Sequence, residues 1–108
     1  MATYYFGETE DIRASVEERD GVTCTLDSAT VSIKSAAGTA IRDDVTAQVD
    51  NATSPKSVWY HEAFTTANGY AEGTEYTATF KATVTRAGTG YLPKPIVNFR
   101  VAAVVDEP

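Results

Sequence analysis

Cysteine is almost missing from this chain of 108 residues; Cys24 is the only one. A single thiol excludes an intrachain disulfide and a cysteine-built zinc site within one copy. Val22, Cys24 and Leu26 alternate with Thr23 and Thr25. That pattern places the thiol on the apolar side of an extended segment, as a small core residue. Histidine is equally scarce. His61 is the only one, so any Ser-His-Asp chemistry must run through it. Its neighbour Glu62 would face the other side of a strand and could not orient it. No nucleophile-elbow sequence is present. The expectation is that His61 is an ordinary strand or rim residue and that the chain is not an enzyme. A small hydrolase using His61 and a carboxylate is the rival of another class. It requires a pocket holding His61 with an acid in hydrogen-bond reach.

Long apolar runs are also missing. Nothing approaches the roughly 18 residues of a membrane-crossing helix. The opening "MATYYFGETED" lacks the basic start and apolar stretch of a secretion signal. Positive charge is in the minority, with 9 Lys+Arg against 15 Asp+Glu and a net charge of −6. Arg13, Arg19, Arg42, Arg86 and Arg100 are dispersed, and no Gly-rich phosphate loop occurs. Such a chain repels phosphate backbones and anionic membrane surfaces, so neither nucleic acid nor membrane is an expected partner. Carboxylates gather at Glu8, Glu10 and Asp11, at Glu17, Glu18 and Asp20, and at Asp43, Asp44 and Asp50. They lack the order of a calcium-binding loop and read as solvated surface, with calcium between loops as the alternative. A pair of glycosidase carboxylates would need a cleft, and a chain this short has little loop length in which to build one. "Asn51-Ala52-Thr53" reads as a chance match to the glycosylation sequon. No cofactor is implied.

What the chain does have is alternation. The length fits one domain over residues 1–108. The 43% hydrophobic content suffices for a core without metal or disulfide help. Ile12, Ala14 and Val16 share one side of a strand over 11–18, with a helix as the weaker rival. Val31 and Ile33 point inward from a strand over 29–34. Gly38 supplies the tight connection, Ile41 starts a return strand, and Val45, Ala47 and Val49 alternate. Ser57 to Phe64 is the next strand. In "AEGTEYTATFKATVT", Tyr76, Ala78, Phe80, Ala82 and Val84 fall on one side. Arg19 to Gly21 and "RAGTG" read as turns. Pro93 and Pro95 precede a last strand from Ile96 to Val105, so its entry belongs at an edge or outside the sheet. The sum is about seven short strands without a long amphipathic helix, the pattern of an antiparallel sandwich or small barrel.

Two stretches carry resemblances. Gly73, Thr74 and Tyr76 in "EGTEYTATF" resemble the corner that enters the second-last strand of fibronectin-type-III and immunoglobulin-like domains. The resemblance implies an all-β, antiparallel immunoglobulin-like sandwich of about seven strands. In it Gly73 permits the turn and the Tyr76 hydroxyl pins the corner to backbone upstream. Ala78 stands where antibody-type domains carry a cysteine, and Trp59 lies just before the corner rather than on an early strand. The likeness is therefore to the broad class. Residues 7–41 also resemble the opening of small β-sandwich modules in tailed-phage and prophage structural proteins, at Gly7, Asp20-Gly21, Leu26, Ala29, Val31 and Gly38. That likeness implies a structural or assembly domain of a virion or tail. Its partners would be copies of itself or other virion proteins, and it would assemble in the cytoplasm. The alternative is a binding module from a bacterial surface or adhesion protein, displayed outside the cell.

The expected interface is aromatic. Tyr4, Tyr5 and Phe6 are consecutive, so their rings must face opposite ways and at least one turns from the core. Tyr70 and Tyr91 fall in or beside loops, where exposed tyrosines suit protein contacts. The interface expectation names Tyr4, Tyr5, Phe6 and Tyr91.

Overall fold

A computed structural model describes residues 1–16, 24–52, 56–86 and 94–103, with backbone alone for 24, 85 and 86. Seven strands follow in order: β1 (Ala2–Tyr5), β2 (Thr9–Val16), β3 (Cys24–Ser35), β4 (Ala40–Asp50), β5 (Lys56–Ala63), β6 (Thr74–Arg86) and β7 (Ile96–Ala102). No α-helix occurs among the described residues. A single 3-10 turn, Thr66–Asn68, lies between β5 and β6. The helix rival over residues 11–18 is replaced by β2. There Ile12, Ala14 and Val16 are buried and the intervening residues exposed.

Hydrogen bonding joins the strands in the order β1-β7-β6-β3-β4-β5-β2. One pair departs from the antiparallel expectation: β1 runs parallel to β7, with Ala2 beside Phe99 and Tyr5 beside Ala102. The sheet is therefore mixed. The cause is the chain path. Residues 2–5 lie on β7 at one end of the ladder, and the chain then bends at Gly7 (φ +89°) to run along β5 at the other end. Gly7 N–H donates to Phe64 O, and Phe64 N–H donates to Glu8 O. This crossing draws the two ends of the ladder together into a nearly closed barrel.

β4 serves both halves. Ala40–Ala47 pairs with β3, and Gln48–Asp50 pairs with β5. Between Val31 and Ile33 the β3–β4 register slips by one residue. The extra residue sits at Asp43 and Asp44, and Asp44 takes a positive φ of 46°. The Asp44 N–H donates to Ser32 Oγ at 3.0 Å, which holds the bulge. A one-residue slip exchanges the two faces of a strand. Here it brings Arg42 opposite the buried Ile33, into the inward row that also holds Val45 and Ala47.

The core is continuous. Ile12, Val31, Ile33, Val58, Phe64, Ala78, Phe80, Phe99 and Val101 are fully buried. Tyr76, Ala78, Phe80 and Ala82 are buried in the row expected from β6, and Val84 is half-buried at its end. Pro95 precedes β7, and its carbonyl accepts from Phe80 N–H at 2.9 Å. The turns expected at 19–21 and 87–90, the side chain of Cys24, Glu17, Glu18, Asp20, Thr53, Tyr91, Pro93 and the strand end at 104–105 lie outside the described residues.

Candidate functional site

The aromatic start of the chain divides by parity. Tyr4 faces inward, stacks on Phe64 at 4.9 Å between centroids and meets Phe99 edge-on at 5.4 Å. Its hydroxyl donates to Asp11 O at 3.3 Å. Burial raises the Tyr4 pKa, and Glu10 and Asp11 add to the shift. Phe6 is half-buried against the same core. Tyr5 points the other way and is 46% exposed. Among the described residues only Met1, at 75%, and Ile96, at 59%, are large hydrophobics exposed to a similar degree. The register puts them on one face but spreads them along it: Tyr5 lies beside Ala102 at one end of β7, Ile96 is at the other end, and Arg100 stands between. Thr3 lies beside Arg100 and Tyr5 beside Ala102, so odd residues of β1 share the outer face with Ile96, Asn98 and Arg100 of β7. Residues 1–7 carry no charged side chain.

The corner residues are adjacent to this edge. Gly73 has φ +73°, and its N–H donates to Val101 O at 2.7 Å. Ala71 N–H donates to the Tyr76 hydroxyl at 2.8 Å. The Tyr76 ring stacks on Phe99 and meets Tyr70 edge-on. Tyr70 is not the exposed loop tyrosine that its position suggested. It is buried, and its hydroxyl donates to Glu62 Oε2 at 2.9 Å.

Glu62 is 3% exposed and ends up in a fully partnered inner network. Arg42 grips it with two bonds, Nε to Oε2 at 2.9 Å and Nη2 to Oε1 at 3.0 Å. Asn68 reaches its Oε1 at 3.5 Å. A buried carboxylate is tolerable only when paired and hydrogen-bonded in this way. Burial, followed by the Glu62 charge, pushes the Tyr70 pKa far up. The hydrogen bond to Glu62 raises the Arg42 pKa. The network ties β4, β5 and the 3-10 turn together from inside.

The outer face of β2, β5 and β4 is polar around one indole. His61 Nδ1 lies 2.6 Å from Asp11 Oδ1, across the β2–β5 pair. Arg13, opposite Trp59, stands over its ring at 5.6 Å. Its Nη1 donates to Ser57 Oγ at 2.6 Å and reaches Asp50 Oδ2 at 3.4 Å. A hollow of about 520 Å³ opens here, lined by Asp11, Thr46, Gln48, Trp59, Tyr60 and His61. So the requirement set for the hydrolase rival is met, with His61 in a hollow and an acid in reach, and that acid is Asp11 rather than the adjacent Glu62. Neither a serine nor a cysteine is among the hollow's described lining residues. Linear order could not show this, because the partners are 50 residues apart.

The acidic residues are spread among different duties. Asp44 accepts from Ser32 and lies 3.4 Å from Lys81 Nζ, while Asp50 accepts from Ala52 N–H. Among the described residues no three His, Cys, Asp or Glu side chains gather to hold a metal ion. No described helix is long and apolar enough to cross a membrane. Asn51 of the sequon uses its amide in both directions on Leu26, accepting at 2.9 Å and donating at 3.0 Å.

No family model matches the chain, and neither the curated proteins nor the solved structures yield a match.

Proposed function

We propose that this chain is a non-catalytic structural domain of the immunoglobulin-like class that works by joining protein partners. The strand path supports the class. The end of β4 with β5 and β2 follows the D-E-B order of such a sandwich, and β3, β6 and β7 follow C-F-G. β1 takes the place of a first strand that has moved across to the last one. The bond from Ala71 N–H to the Tyr76 hydroxyl suits the tyrosine that pins the sheet corner.

The more specific proposal is a subunit or accessory domain of a tailed-phage or prophage particle, assembled in the cytoplasm and carried into the virion. It rests on the resemblance at Gly7, Leu26, Ala29, Val31 and Gly38. The observation that carries the partner-joining role is the short strand β1 at one end of the ladder, which has no charged side chain and turns the exposed Tyr5 outward. An unpaired strand is a template for another chain, and an outward tyrosine suits protein contacts. Of the named interface residues, Tyr5 is the outward anchor, and Tyr4 and Phe6 fix the strand that presents it.

Sedimentation velocity over a wide concentration range, with and without calcium, tests the proposal. A closed oligomer or reversible ring-like association supports the particle subunit. A monomer at every concentration favours the surface or adhesion module, whose partner is another molecule. Association that requires calcium moves the interface to the acidic loops.

A further inference from the structure

We propose that the hollow beside Trp59 binds a neutral pyranose saccharide. The hollow exists because β4 and β5 part company. Their ladder covers only Gln48–Asp50 against Ser57–Trp59. Beyond Trp59, β5 continues on β2 alone, while the earlier part of β4 continues on β3 alone. The gap between the diverging strands is the hollow. Its volume, about 520 Å³, lies in the ordinary range for small-ligand sites.

The wall chemistry selects the ligand. Trp59 offers a flat aromatic surface on this outer face, which suits the C–H face of a sugar ring, while the Tyr60 ring belongs to the core side of the strand. Thr46, Gln48, Asp11 and His61 stand around it with a hydroxyl, an amide, a carboxylate and an imidazole. Together they donate to and accept from hydroxyl groups, which are both donors and acceptors themselves. A purely apolar ligand would leave those polar groups unmatched. An anion would meet the Asp11 carboxylate, and the imidazole beside it is already engaged by that acid at 2.6 Å. The indole is preorganised. Arg13 stands over its ring, is itself held by Ser57 and Asp50, and is not part of the hollow's wall. One aromatic surface is thus backed by the guanidinium while the hollow keeps its own access to Trp59.

This inference does not depend on how the chain associates, since the hollow is on the β2–β5–β4 face and the outward Tyr5 is on β1. Trp59 is the only tryptophan, so its emission reports on the hollow directly. The probes are cellotetraose, maltotetraose, mannotetraose and chitotetraose, with a hyaluronan tetrasaccharide as the anionic control. The expected result is a saturable emission change with at least one neutral probe and a Kd of roughly 1 mM or tighter. By calorimetry, Trp59→Ala weakens that probe about tenfold through the lost stacking surface, and Gln48→Ala weakens it about threefold through one lost hydrogen bond. Gln48 is exposed on β4, so its variant keeps the test alive should Trp59→Ala unfold the sheet. Three results would each overturn the inference. One is unchanged Trp59 emission up to about 20 mM of every neutral probe. Another is a response to the anionic probe alone. The third is a neutral-probe affinity that both substitutions leave intact.

Discussion

Strands β1 and β2 are the two edges of one sheet, and they meet the problem of an open edge differently. β2 is eight residues long, and its outer row carries Asp11 and Arg13. Both charges are engaged within the chain, Asp11 by His61 and Arg13 by Ser57, Asp50 and the Trp59 ring. Charge on an edge discourages pairing with a second chain. β1 is four residues long and has no charged side chain, and it turns the exposed Tyr5 outward beside Ala102 of β7. The lesson is that one edge is finished by its own side chains, while the other is left with an outward tyrosine on an end strand that a partner can cover. Substitutions on the β2–β5 side should therefore cost stability, and those on β1 should cost association.

The largest expected effect is on the finished side. Glu62→Ala leaves Arg42 and the Tyr70 hydroxyl without their acceptor, and should lower stability by about 3 kcal/mol or more. Denaturant unfolding measures it. A loss under about 1 kcal/mol would mean that the pair is replaceable by water and that this side is not fixed from within.

Alkaline pH probes both sides at once. The Tyr70 and Tyr4 pKa values are raised in the fold, chiefly by burial. The unfolded chain releases these protons near pH 10, while the folded chain still holds them. Stability is then complete below about pH 10 and falls as pH rises, by about 1.4 kcal/mol per pH unit for each such tyrosine. Tyr70→Phe should flatten that fall more than Tyr4→Phe, because Tyr70 is the more deeply buried of the two. Equal slopes in both variants and the parent would contradict it.

A smaller effect is expected at the corner. Tyr76→Phe removes the acceptor of Ala71 N–H and should cost about 1 kcal/mol. An unchanged thermal or denaturant midpoint would remove the hydroxyl from the account of the fold. The smallest effect on stability belongs to β1. Tyr5→Asp should shift the unfolding free energy by no more than about 0.5 kcal/mol, since the ring makes no part of the core.

What could be read in the sequence was whatever depends on strand parity. The inward rows of β2 and β6 follow from period-two alternation, and so does the outward turn of one ring in Tyr4 to Phe6. What could not be read depends on register between distant segments. Arg42 faces inward only because the bulge at Asp43 and Asp44 exchanges the faces of β4. Tyr70 is buried only because the 3-10 turn folds it onto Glu62 and Tyr76. The Asp11–His61 contact and the parallel lie of β1 on β7 join residues far apart in sequence, with no local signal to announce them. The hollow beside Trp59 arises where two strands diverge, which a linear pattern does not encode.

The most direct test of the central claim compares the edges by sedimentation velocity, with Tyr5→Asp and Arg13→Ala run beside the parent chain. The account predicts that the parent associates reversibly, that Tyr5→Asp remains folded but monomeric, and that Arg13→Ala associates as the parent does. Association untouched by Tyr5→Asp, or abolished by Arg13→Ala in a folded protein, would contradict the account.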